Sequence, residues 1–205
     1  MLLAKANWQK MLSHAVVVLK KNTDELSKLD SATGDGDHGV TIGKIADKIK
    51  EHLNSWPQDM SVPAFLEALS NSLTNIGGGS AGPLWGTLFE GFANAATDEM
   101  DALQVKKLFS SALESMREIS TAKVGDKTMM DALIPAVQAA ESCTGDIAAI
   151  FVAAANAAVQ GAEDTANMVA KFGRAKNLKE KTIGHKDPGA VSLSLLIKSF
   201  AEAQA

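Results

Sequence analysis

The 205-residue chain is long enough to bury a hydrophobic core as one domain, and 46% hydrophobic with 21% charged residues is an ordinary globular composition. A formal net charge of -4 gives no electrostatic reason to expect nucleic acid or an anionic membrane as partner, so a phosphate ligand would need local charge from cations or metal. The single cysteine, Cys143, excludes an intramolecular disulfide and is expected as a buried small hydrophobe beside a helix end.

In chain order, the segment Met1 to Trp8 has no basic stretch ahead of an apolar run and does not read as a secretory signal. Trp8, Leu12, Ala15, Val16 and Leu19 then mark one face of a first helix, and Ile42, Ile45, Ala46, Ile49 and Leu53 mark a second. Ser61 is placed to cap a third, with Pro63 in its first turn and Phe65, Leu66, Leu69 and Leu73 facing inward. A fourth runs from about Pro83 through Leu84, Leu88 and Phe92. Asp101 opens a fifth, whose inner face is Val105, Leu108, Phe109, Ala112 and Met116.

Met129 through Ala140 form a sixth, with Pro135 at a kink or near its start. The seventh, from about Asp146 to Lys171, is rich in alanine and lets neighbours approach closely. Within it, Ile147 to Val159 is too short and too alanine-rich to span a bilayer. The eighth starts near Pro188 and carries Val191, Leu195, Leu196 and Phe200. No alternating strand pattern, linker or repeat interrupts this series. The expectation is an all-α antiparallel bundle or barrel of eight helices, one domain over residues 1–205, located in the cytoplasm without a membrane partner. With no tyrosine and 5% aromatic residues, the core is expected to be aliphatic, and a base-stacking nucleic-acid surface is not expected.

Glycines and acids collect at four helix junctions. In Leu29-Asp30-Ser31-Ala32-Thr33-Gly34-Asp35-Gly36-Asp37-His38-Gly39, three carboxylates share a glycine-rich turn and can point at one centre. Such acids repel one another unless a hard cation neutralises them, and magnesium accepts an all-oxygen shell. Helix capping by Asp35 or Asp37 explains the same residues, and spacing alone leaves both readings open. A calcium loop is disfavoured because its terminal glutamate is missing.

The second junction, Gly77-Gly78-Gly79-Ser80-Ala81-Gly82-Pro83, leads into a helix whose bare amides suit an anion, although the lysine of a P-loop is absent. The third is Gly125-Asp126-Lys127-Thr128-Met129, where Asp126 or Thr128 reads as a cap and Lys127 as a solvated charge. The fourth joins Gly173-Arg174-Ala175 to Ile183-Gly184-His185-Lys186-Asp187-Pro188-Gly189-Ala190. Arg174 has the forked geometry suited to phosphate. His185 reads as a satisfied loop histidine, and His14 and His52 as structural or solvated. Together the residue types point to metal plus phosphate, hence nucleotide binding or phosphoryl transfer.

These four junctions, in this order, resemble the nucleotide-binding L subunit of dihydroxyacetone kinases, equivalent to the C-terminal domain of the single-chain enzymes. The resemblance covers nearly the whole chain and includes Pro83-Leu84-Trp85-Gly86-Thr87 after the glycine loop. It implies an eight-helix barrel with the nucleotide in the loops at one end. It further implies that Asp30, Asp35 and Asp37 ligate two magnesium ions bridging the phosphates of ADP or ATP and serve as the catalytic acids. His38, Gly39, Val40 and Thr41 would line the nucleotide together with Ser80 and Ala81. Met129 would pack on the base side, with Arg174, Asp187, Pro188 and Gly189 completing the pocket.

The implied reaction is in-line transfer of a phosphoryl group to dihydroxyacetone held on a partner K subunit. A free-standing chain of this length fits the version in which bound ADP is recharged by a phosphohistidine M subunit of the phosphoenolpyruvate-dependent phosphotransferase system. Three alternatives stand beside it: an ATP-dependent kinase for another small ketose such as erythrulose, a fatty-acid kinase domain, and a regulatory subunit reporting nucleotide state to a transcription regulator. The motif from His185 to Gly189 argues against the second, and the three intact aspartates make the third an addition to catalysis. A homodimer is left open.

Overall fold

The computed structural model describes residues 2–77 and 79–204; Met1, Gly78 and Ala205, including the middle glycine of the Gly77–Gly79 loop, lie outside the described residues. Nine α-helices occupy most of these residues: α1 (Lys5–Lys21), α2 (Thr23–Ser31), α3 (His38–Asn54), α4 (Val62–Thr74), α5 (Ala81–Ala95), α6 (Ala102–Ile119), α7 (Met130–Ser142), α8 (Ile147–Asp164) and α9 (Pro188–Glu202). Eight of them close a ring, each packing on the next from α1 through α3, α4, α5, α6, α7, α8 and α9 back to α1. Short connections from α3 to α8 make those successive members antiparallel, while α1 joins α3 through α2 and α8 joins α9 through a long loop. The expected all-α eight-helix barrel is therefore the ring itself.

The extra helix α2 lies against α3 and α9. Leu26 is its one buried side chain, so it shows none of the repeating apolar face that revealed the others. A second departure is a two-residue antiparallel ladder, β1 (Leu3–Ala4) with β2 (Glu99–Met100), pairing Leu3 with Met100 and Ala4 with Glu99. Two residues are too few to show alternation.

Helix starts follow local chemistry. Ser61 Oγ accepts from the Ala64 amide at 3.3 Å, Asp146 Oδ1 from Ala149 at 2.9 Å, and Asp101 forms a reciprocal box with Gln104. The seventh expected helix is corrected at its C-terminal end. The α-helix stops at Asp164, and a 3-10 turn over Thr165–Asn167 follows. Thr165 Oγ1 donates to Ala162 O at 2.6 Å and accepts from the Asp187 amide at 2.8 Å, which turns the chain outward into a long loop.

Pro135 sits inside α7, so the carbonyl of Asp131 loses its helical donor. Gly161 of α8 packs on that carbonyl, where a Cβ would collide with it. The core also corrects expectation: it is not purely aliphatic. Six of the seven phenylalanines are at most 2% exposed. Edge-to-face contacts run from Trp8 to Phe200 (6.1 Å), on to Phe151 (6.4 Å), and on to Phe109 (5.6 Å), joining α1, α9, α8 and α6. Cys143 follows α7 and is half-buried rather than buried, its Sγ accepting from the Gly145 amide at 3.4 Å. Among the described residues no helix is long and apolar enough to cross a membrane.

Candidate functional site

A cavity of about 420 Å³ opens at one end of the ring. Because the helices alternate in direction, this end gathers the starts of α3, α5, α7 and α9, whose first residues or caps line the cavity (His38, Ala81, Met130, Pro188). Each helix start carries roughly half a positive charge and unsatisfied amides. Four of them face one hollow in a protein that is acidic overall, and at three of them one amide already reaches a side chain: His38 to Asp30, Met130 to Thr128 and Ala190 to Asp187.

Against this positive frame stand Asp30, Asp35 and Asp37. Each offers a carboxylate oxygen, and the three atoms lie within 4.8 Å of one another. Asp30 lies in the last turn of α2, and its Oδ2 accepts the His38 amide at 3.1 Å. Gly34 is required beside it, because a Cβ there would lie about 3.1 Å from the Asp30 carboxyl carbon and closer still to its oxygen. Gly36 turns the chain at a φ of 79°, which places Asp35 and Asp37 on the same side.

Asp37 occupies the N-cap position of α3, yet its side chain makes no capping hydrogen bond. Asp101, Asp146 and Asp187 all cap their helices through the side chain. The capping explanation for Asp37 therefore fails, and its oxygen is left for something in the cavity. Asp35 is exposed and ion-paired with Arg174 across the cavity mouth. Three hard oxygen donors in one half-exposed cluster fit a magnesium ion.

His38 Nε2 lies 2.9 Å from Ser192 Oγ, and Ser192 Oγ lies 3.0 Å from the Gly189 carbonyl. The Ser192 hydroxyl thus bridges the His38 ring and that carbonyl, and the Pro188 backbone also faces the imidazole. Burial holds the imidazole below its ordinary pKa, with Asp30 and Asp37 opposing. Asp187 caps α9 through Ala190 (2.7 Å), and its carboxyl is pushed up to about 7, first by burial and then by Asp131, with Asp30 adding to the rise.

The cavity brings together most of the residues singled out in the sequence: Asp30, Asp35, Asp37, His38, Ser80, Ala81, Met129, Arg174, Asp187, Pro188 and Gly189. Gly39, Val40 and Thr41 do not line it. They follow His38 into α3: Gly39 packs against Thr23 and Ser27 of α2, Val40 is 58% exposed, and Thr41 is buried. His185 has an exposed side chain, while His14 pairs with Glu202 and His52 with Ser72.

The third junction needs the largest correction. Lys127 is 3% exposed rather than solvated, and sits at a φ of 60°. Asp131, which carried no signal in the sequence, accepts from Gly125 N at 2.6 Å and Thr128 N at 2.7 Å and so builds the turn. Sequence periodicity also missed Met116, Ile119 and Trp85, which join Leu84, Met129 and Met130 on the apolar side of the cavity. Met116 read as core in the sequence, Trp85 stood only in the motif after the glycine loop, and Ile119 carried no reading; the ring's geometry brings all three to the opening.

A family model described as the DAK2 domain matches residues 32–202. The chain is 34% identical over 190 residues to a PEP-dependent dihydroxyacetone kinase, ADP-binding subunit DhaL, of Listeria innocua, covering 91% of this chain and 90% of that protein. It is 32% identical to an L-erythrulose kinase of Pectobacterium atrosepticum, spanning 93% of this chain but about a third (33%) of that enzyme. Among solved structures, a dihydroxyacetone kinase of C. freundii in complex with AMP-PNP and Mg2+ superposes with a TM-score of 0.73 at 27% identity. That match covers 98% of this chain and 34% of the other.

Proposed function

The chain belongs to the DAK2-domain family, and on that premise we propose that it is the nucleotide-binding subunit of a dihydroxyacetone kinase, a phosphotransferase with an alcohol acceptor. The observation that carries this reading is the convergence of three carboxylates, one of them an N-cap residue that does not cap, in a cavity framed by four helix starts. Positive helix ends hold phosphate, carboxylate oxygens hold hard cations, and a metal–polyphosphate is the ligand that needs both at once. The relative sharing nine tenths of both lengths is an ADP-binding subunit, which supports ADP here as well.

In this reading residues 1–205 act as one nucleotide-binding domain. Asp30, Asp35 and Asp37 hold two magnesium ions, which when bound neutralise phosphate charge during in-line transfer. Ser80 and Ala81 at the start of α5 present hydroxyl and amide donors to the phosphates. Arg174 leaves Asp35 and turns its fork to phosphate oxygens. Met129, with Met116 and Ile119, receives the base against an apolar wall. His38, held by Ser192, faces the nucleotide from the start of α3. Gly39, Val40 and Thr41 do not line the cavity, and with the Thr41 amide bonded to the Asp37 carbonyl they serve by forming the first turn of α3.

The acceptor ketose would sit on a partner K subunit, with a phosphohistidine M subunit recharging ADP in place, and the complex would work in the cytoplasm. The similarity to part of an L-erythrulose kinase supports a second reading, in which the same site exchanges ATP freely for another ketose. Purification without added nucleotide, followed by a challenge with labelled ATP and magnesium, separates the two. Co-purified ADP that barely exchanges is the expected result. Ready exchange favours the ATP-driven kinase, and absence of any nucleotide binding overturns the proposal.

A further inference from the structure

The long loop between α8 and α9 brings Arg174 to the mouth of the cavity and Asp187 to its wall, yet it has little core of its own. Across Lys171–Lys181 nearly every side chain is exposed, and only Thr165, Ala170 and Thr182 of the loop are buried. Its two ends meet through the Gly184 amide on the Ala166 carbonyl (2.7 Å) and the Ala170 amide on Thr182 Oγ1 (3.0 Å), and a further contact holds them to the barrel. The turn 125–131 supplies it.

Asp126 takes hold of the loop at Lys171, through Lys171 Nζ at 2.7 Å and through its own carbonyl, which accepts the Lys171 amide at 3.1 Å. Lys127, the next residue, reaches the other way. Its ammonium donates to the carbonyl of Thr165 at 2.6 Å and to the carbonyl of His185. Thr165 in turn accepts the Asp187 amide on its hydroxyl at 2.8 Å. One side chain thus ties together both ends of the loop, next to the residue that caps α9.

The arrangement is costly in two ways. Lys127 is 3% exposed, and burial lowers its pKa against the opposing pull of Asp187 and Asp131. It also holds a left-handed backbone, a conformation uncommon for lysine, while Gly125 just before it is at a φ of 95°. No carboxylate is hydrogen-bonded to its ammonium among the described residues; its partners are main-chain carbonyls. A lysine serving only to balance charge would sit on Asp131 or Asp187 instead.

We propose that Lys127 is the positioning residue of this site: its ammonium clamps the Thr165 and His185 carbonyls and thereby sets the Asp187–Gly189 wall and the reach of Arg174. The inference about what the clamp serves rests on the nucleotide reading above, whereas the clamp itself does not. Two donors on one charged tip let a single side chain hold two carbonyls twenty residues apart in sequence, beside the direct Gly184–Ala166 and Asp187–Thr165 links.

The test uses the full chain as Lys127→Met, which keeps length and loses all donors, and as Lys127→Arg, which keeps charge and donors. Amide exchange without nucleotide comes first. In Lys127→Met, amides of 165–187 are expected to exchange at least tenfold faster while those of α4 and α5, on the far side of the ring, are unchanged; Lys127→Arg restores part of the protection. Unchanged exchange in the loop, or equal loss of protection throughout the barrel, overturns the proposal. Magnesium-ADP affinity is then measured, with about a tenfold loss expected for Lys127→Met and a partial rescue by arginine. An affinity equal to the parent's overturns the positioning role, while failure of the unaltered chain to bind magnesium-ADP counts against the nucleotide reading and leaves the exchange result to decide the clamp.

Discussion

Two turns at the same end of the barrel, 30–37 and 125–131, both combine aspartates with glycine and threonine and use their carboxylates in opposite ways. In 125–131 all four carboxylate oxygens are spoken for: Asp131 by the amides of Gly125 and Thr128, Asp126 by the Lys123 amide and the Lys171 ammonium. In 30–37 one main-chain amide reaches Asp30, Arg174 pairs with exposed Asp35, and Asp37 has no side-chain hydrogen bond among the described residues. An acid saturated by its own backbone is part of the scaffold. An acid in a glycine-rich turn that declines to cap its helix is available to a ligand. Composition does not separate the two; hydrogen-bond bookkeeping does.

The sharpest way to break the comparison is to remove a carboxylate from each turn. Asp35→Ala or Asp37→Ala is expected to weaken magnesium-dependent ADP binding by more than about 100-fold, since even outer-shell partners of metal ligands are worth 10–100-fold. Circular dichroism should stay that of the parent. Asp131→Asn should do the reverse: one backbone amide loses its acceptor in a buried site, at about 1–3 kcal/mol of stability by denaturant titration, with a smaller effect on binding.

Titration sharpens it further. The Asp187 carboxyl is raised from its ordinary value to about 7, so between about pH 4 and 7 the native state holds a proton that the unfolded chain has released. Its contribution to stability is therefore full below about pH 4 and is lost as pH rises through 7. Asp187→Asn should flatten that part of the melting-temperature profile of nucleotide-free protein between pH 4 and 8. A profile parallel to the parent's would mean that the carboxyl titrates normally. Gly34→Ala should cost about tenfold in ADP affinity by pushing the Asp30 carboxylate aside, roughly 1.4 kcal/mol. The smallest effect is Asp101→Ala, far from the cavity, which loses a capping box for about 1 kcal/mol of stability and leaves ADP affinity unchanged.

How far the sequence could be read follows the same divide. Eight helices were legible because each buries a repeating apolar face, and the caps at Ser61 and Asp101 because capping is a local event. Helix α2 was not, since a single buried leucine carries no period. The early end of α8 was not either, because the Thr165 hydroxyl meets an amide twenty-two residues later. At the site, the acid turn and the residues from Arg174 to Gly189 were legible through their glycines. Lys127 was misjudged: its partners are carbonyls 38 and 58 residues away, and a buried lysine among acids looks in one dimension like a surface charge. Met116 was lost in the core pattern, which does not record where a barrel opens, and Ile119, 53% exposed at the end of α6, carried no period at all.

The most direct test of a metal-bridged nucleotide is a calorimetric titration of the nucleotide-stripped chain with ADP, run once with magnesium and once with chelator. Tight binding that disappears with the metal is the expected result, and the Asp37→Ala chain should behave in magnesium as the parent does in chelator. Equal affinity with and without magnesium, or full affinity in Asp37→Ala, would contradict the assignment of the three aspartates and leave the helix starts as the only holders of the phosphates.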